Sequence, residues 1–160
     1  MSNIDLSLQV DEDGFVCVVA PDTYRGFVDE DWALDDLLAR FVEQMNRGSL
    51  FVAYPGSDNA NSNLIVESES SPVQALREAS GIVQVGAEGL WVTDYTQLSM
   101  AAQFADESPL AGYSQRLPAE PGMYRVTLRE DAENGSTFLL TISLTSADTA
   151  LEHLSVPWFD

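Results

Sequence analysis

The sequence predicts an α+β fold that is mainly antiparallel β, a sheet or β-sandwich carrying one substantial helix. Three observations carry this. Short segments with strand character recur along the chain and outnumber helical ones. Most of them are separated by turn residues rather than by crossover lengths of chain. Only one stretch repeats its apolar residues with the period of a long helix.

At the N-terminus Ile4, Leu6, Leu8 and Val10 alternate with Asp5, Ser7 and Gln9, the pattern of a strand with one wet face. Asp11-Glu12-Asp13-Gly14 offers a turn, and Phe15 to Ala20 reads as a second, more buried strand, so an opening hairpin is expected. The helix is expected over residues 32 to 46. Leu34, Leu37, Leu38, Phe41 and Met45 fall on one face, Asp29 or Asp31 can cap its start, and Arg47 and Gly48 mark its stop. Asp36/Arg40 and Glu43/Arg47 form i, i+4 pairs on the outer face.

Ser49 to Tyr54 reads as a strand closed by Pro55-Gly56, followed by a polar, hairpin-like loop from Ser57 to Asn63. Leu64 opens the next strand. Pro72 to Ala79 reads as a short helical turn or a loop. Ile82 to Val85, Leu90 to Tyr95, Met123 to Glu130 and Phe138 to Thr145 read as strands, and Asn134-Gly135 is the strongest local hairpin signal, between the last two. Gln97 to Leu117 carries no single period. Trp32, Tyr54, Trp91 and Tyr95 fall where core packing is the expected role.

The chain has 160 residues, which suits a single domain over 1–160, and 45% of them are hydrophobic, enough for a core. Charge is lopsided. Twenty-six Asp and Glu face 7 basic residues, all of them Arg, for a net charge of -19. A field of that sign repels phosphate, so direct nucleic-acid binding is disfavoured, and it repels anionic membrane surfaces as well. No apolar run is long enough to span a bilayer. The first residues show no basic region followed by a long apolar one, so no signal peptide is expected, and a lone Cys17 fits a reducing cytoplasm.

Assembled catalytic chemistry is hard to find. Cys17 sits in an apolar strand and His153, the only histidine, lies near the chain end, so a Cys/His nucleophile is not expected and no catalytic residue is assigned. Gly112-Tyr113-Ser114-Gln115 has Arg116 where a nucleophile elbow needs its second glycine. Zinc lacks clustered His and Cys ligands. A calcium loop aligned on Asp11, Asp13 and Gly14 would have Gln9 first and Ala20 twelfth, so two ligands are missing. No metal and no cofactor is expected. Acids are so numerous that a hydrolytic carboxylate pair cannot be picked out of the sequence, and that enzyme reading stays open.

Ten of the acids lie within residues 1–36, against the single base Arg25. Turns and helix starts attract such residues locally, yet the total charge repels itself, which points to a basic partner or to a saline source. The candidate partner-binding residues are therefore Asp29, Glu30, Asp31, Asp35 and Asp36 around the helix start. Trp158 and Phe159 join them, because two large aromatics beside the chain end either close the core or serve as an anchor.

Short motifs add a further indication. Asp31-Trp32 heads the helix, Gly48-Ser49-Leu50-Phe51 enters a strand, and Ile82-Val83-Gln84-Val85 precedes Gly89-Leu90-Trp91-Val92. Leu117-Pro118 is then followed by Pro121-Gly122-Met123-Tyr124-Arg125-Val126. Over residues 30–128 this order resembles the competence protein J family. The segment between Trp91 and Leu117 is longer than in that family, and the N-terminal hairpin differs. The resemblance implies a small soluble β-rich protein. Its founding kind inhibits a DNA-uptake nuclease, and the wider set looks like immunity proteins that neutralise nuclease toxins. Composition and resemblance together predict a cytoplasmic, non-enzymatic inhibitor that binds a basic nuclease or toxin. An acidic β domain adapted to salt is the third reading.

Overall fold

The computed structural model describes residues 5–10, 14–20, 34–67, 74–87, 89–93, 115–117, 119–133, 137–145 and 155–158. In chain order they form β1 (Asp5–Gln9), β2 (Val16–Val19), α1 (Leu34–Arg47), β3 (Leu50–Ala53), β4 (Asn63–Glu67), β5 (Ala75–Val85), β6 (Leu90–Thr93), β7 (Gln115–Leu117), β8 (Gly122–Asp131) and β9 (Thr137–Leu144). A single 3-10 turn, Ser57–Asn59, lies between β3 and β4. The strands make two sheets, a five-stranded one in the order β1-β4-β9-β8-β5 and a four-stranded one in the order β3-β2-β6-β7. Pairing is antiparallel except between β4 and β9, which run parallel. This is the α+β, mainly antiparallel architecture the sequence predicts.

One apolar core serves both sheets and the helix, drawing on Val18, Phe51 and Val92 from the smaller sheet, Leu64, Val126 and Leu140 from the larger, and Leu37, Phe41 and Met45 from α1. Helix periodicity explains the last three, since offsets of 0, 4 and 8 from Leu37 keep one face inward. The stop is a Schellman motif. Ser49 donates its backbone N–H to the Gln44 carbonyl at 3.1 Å and Gly48 donates to Met45 at 3.2 Å, with Gly48 at φ 80. The Gly48 carbonyl in turn accepts from the Gln84 N–H at 2.7 Å, which ties the helix end to β5.

Three local expectations are corrected. The opening hairpin does not form: β1 pairs with β4, whereas β2 pairs with β3 and β6, so the first two strands belong to different sheets. Gly14 makes the switch at φ 85, and its carbonyl accepts the Gly56 N–H at 3.1 Å. The loop from Ser57 to Asn63 is not hairpin-like either. It carries the chain from the smaller sheet to the larger, and the backbone of Val10 closes on Asn61 and Ser62. Finally, the residues from Ala75 to Ala79 are strand, the first half of β5, rather than a helical turn or loop.

The expected helix start at Trp32 and its capping candidates Asp29 and Asp31 lie outside the described residues, as do Tyr95, His153, Asn134 and Gly135.

Candidate functional site

Of the five carboxylates expected at the helix start, Asp35 and Asp36 are described. They occupy the first turn of α1 and both are exposed. This is where negative charge complements the helix macrodipole. Farther along the same helix the outward side chains nearly balance: Arg40 and Arg47 accompany Glu43, and the exposed Glu43 and Arg47 pair at 3.2 Å. The negative field of α1 is thus concentrated at its beginning. Asp29, Glu30 and Asp31 lie outside the described residues, and so does Phe159.

Trp158 belongs to a second cluster, built from segments far apart in sequence. Its ring lies over the Arg77 guanidinium, with Cζ 4.1 Å from the ring centroid, and 6.3 Å from the Phe138 ring. Arg77 donates through Nε to Glu130 Oε1 at 2.6 Å and through Nη2 to the Pro55 carbonyl at 2.8 Å. The Pro157 carbonyl accepts the Tyr54 N–H at 2.9 Å. The Tyr54 ring meets that of Phe15 at 4.7 Å with the planes tilted by 51°, and its hydroxyl accepts the Ser57 N–H. The indole is half-buried and Val156, two residues earlier, is buried in the core.

Sequence reading did not find Arg77 and Glu130. They are register partners across β5 and β8, so the signal was available only once Ala75 to Ala79 is known to be strand. Another facing polar pair on the same strands, Ser80 and Thr127, shares a hydrogen bond at 3.0 Å. On the outer side of the larger sheet Arg129 pairs with Glu67 at 3.3 Å, with only 10% and 15% of the two side chains exposed. These groups brace the sheet.

The acidity of Tyr124 is shifted. Burial pushes its phenol up from the ordinary value, the nearby Glu120 carboxylate adds to the shift, and the hydroxyl donates to the Glu120 carbonyl at 2.8 Å. Cys17 is buried in β2. Among the described residues no three His, Cys, Asp or Glu side chains are grouped as metal ligands would be, and no helix is long and apolar enough to cross a membrane.

Two solved structures resemble the whole architecture. The protein described as crocagin biosynthetic gene J aligns over 91% of this chain and 100% of its own, with a TM-score of 0.56 at 12% identity. The chain shares that protein's fold. It is also similar to ComJ from Bacillus subtilis, described as the inhibitor of the DNA degrading activity of NucA, over 91% of this chain and 96% of that one, with a TM-score of 0.47 at 12% identity. No protein-family model matches the sequence, and no curated protein matches it.

Proposed function

We propose that the chain is a non-enzymatic acidic inhibitor, of the immunity-protein kind, that binds and neutralises a basic nuclease or toxin in the cytoplasm. The observation that carries this reading is electrostatic: a net charge of -19, with Asp35 and Asp36 exposed on the first turn of α1 and a balanced helix surface behind them. A nuclease active site is shaped to attract the phosphates of its substrate, so carboxylates presented at similar spacing compete for the same cations. The motif order that resembles the competence protein J family supports the same class of partner. Burial of Cys17 supports a non-catalytic role for the lone thiol.

On this reading Asp29, Glu30, Asp31, Asp35 and Asp36 steer the encounter, and Trp158 and Phe159 add an aromatic anchor. Charge accelerates association, up to about 10⁸–10⁹ M⁻¹s⁻¹ at low salt, while desolvated aromatics slow dissociation. The test is capture of partners from native lysate on the immobilised protein, mass spectrometry of what is held, and assay of the captured protein's DNA cleavage. The expected result is a basic nuclease whose activity falls to the background at stoichiometric addition. A captured nuclease that cleaves DNA at its full rate in the presence of excess protein would refute the proposal.

A further inference from the structure

The tail around Trp158 is held by Arg77, and Arg77 is held by both sheets. Its Glu130 contact lies on β8 of the larger sheet and its Pro55 contact follows β3 of the smaller one, while its flat face meets the indole. Tyr54, at the end of β3, takes the Pro157 carbonyl. Arg77 thus joins the end of the tail to both sheets, beside the Tyr54 bond to Pro157.

Two features set this end apart from an ordinary packed terminus. Trp158 has φ 70, the left-handed region that a bulky L residue enters only where surrounding contacts impose it. The Arg77–Glu130 pair beneath the indole is reached by water, since 33% of the Arg77 side chain and 24% of the Glu130 side chain remain exposed. Val156, by contrast, is buried in the core and fixes the other end. A left-handed tip, a solvent-reached catch and a buried root are the features of an element whose local opening costs less than global unfolding.

We propose that Pro157 and Trp158 form a latch that opens and closes on the folded body with Arg77 as its catch, the open form presenting the Trp158 indole to the partner. The second half of that statement rests on the interface role given to Trp158 above; the first half concerns the protein alone.

Amide hydrogen exchange on the full chain tests the latch directly, because the Tyr54 N–H is protected by Pro157 while Phe51 is paired with Val18 inside the smaller sheet. Local opening makes Tyr54 exchange faster than Phe51 in the wild-type protein, and Arg77→Met should raise the Tyr54 rate by a further factor of about ten with the Phe51 rate unchanged. Equal rates for the two amides in the wild-type protein would mean that the tail leaves only on global unfolding, and would overturn the latch. An Arg77→Met protein with an unaltered Tyr54 rate would remove Arg77 as the catch. For the partner, Trp158→Ala should speed dissociation of the captured nuclease; unchanged dissociation overturns the presenting role. Failure of the inhibitor reading itself shows elsewhere, as DNA cleavage that the wild-type protein leaves untouched.

Discussion

The backbones of Gly14 and Gly56 cross so closely that a Cβ on Gly14 would fall on the Gly56 carbonyl group. Gly14 also holds φ 85, which penalises an L side chain regardless of the space around it. Gly14→Ala is expected to lose about 1–3 kcal/mol for the backbone conformation alone, with the steric displacement added. Chemical denaturation checks this, and a variant within 0.5 kcal/mol or so of wild type, the usual span of neutral surface changes, would show that the crossing is looser than described.

The crossing lies where the sequence predicts the opening hairpin and the chain instead passes from one sheet to the other. The alternation in Ile4 to Val10 and the apolar run Phe15 to Ala20 identify strands correctly, and the glycine between them marks a turn. Which strand each one pairs with is settled elsewhere, by segments around Leu64 and Phe51 that no local pattern names. Register over such sequence distances is a property of the assembled core.

Phe41 is fully buried on the inward face of α1. Phe41→Ala should cost about 3–5 kcal/mol, most of the stability of a small domain. A melting temperature within a degree or two of wild type would mean that the ring does not fill the core.

The helix was legible because Leu37, Phe41 and Met45 repeat at helical spacing and Gly48 supplies the stop. The first half of β5 was not, because Ala75, Leu76, Arg77, Glu78 and Ala79 are good helix formers, and pairing with β8 overrides their preference. Leu76 shows the cost of that override, since the strand leaves it 67% exposed. The same limit applies to the site. Asp35 and Asp36 could be read as exposed acids from helix periodicity alone, whereas the assembly of Arg77, Glu130 and Trp158 joins three distant segments and has no signature within any of them.

Tyr124 supplies a pH signature. Its phenol ionises above the ordinary value near 10, so the folded state favours the neutral form. The resulting stability is complete below the unfolded value and is lost as pH rises through the folded one. Tyr124→Phe removes the bond to the Glu120 carbonyl and should cost about 0.5–1.5 kcal/mol at neutral pH. The deficit should narrow as pH climbs past 10. Denaturation at pH 7 and at a series of alkaline values measures it; a deficit independent of pH would place the phenol in water.

Charge at the helix start gives the decisive test of the binding mechanism. Converting Asp29, Glu30, Asp31, Asp35 and Asp36 to their amides keeps side-chain volume and removes the steering field. Association with the captured nuclease should slow by about tenfold at low ionic strength. The loss should shrink with added salt, as the Debye length falls from about 30 Å at 0.01 M to about 8 Å at 0.15 M. Stability must be followed in parallel, because the first-turn acids also complement the macrodipole, each by about 0.3–1 kcal/mol. The control set has to come from carboxylates without structural duties. Glu130 is unsuitable because it holds Arg77, and Asp131 because it is buried and accepts the Glu133 N–H at 2.8 Å. Asp58, Glu78 and Glu133 are exposed and lie on other elements, so their neutralisation isolates the effect of total charge. A large, salt-sensitive loss from the helix set with a small one from the control set identifies the helix start as the steering surface. Losses in proportion to the charges removed would assign the effect to net charge alone, and a salt-independent loss would shift the weight of recognition to Trp158.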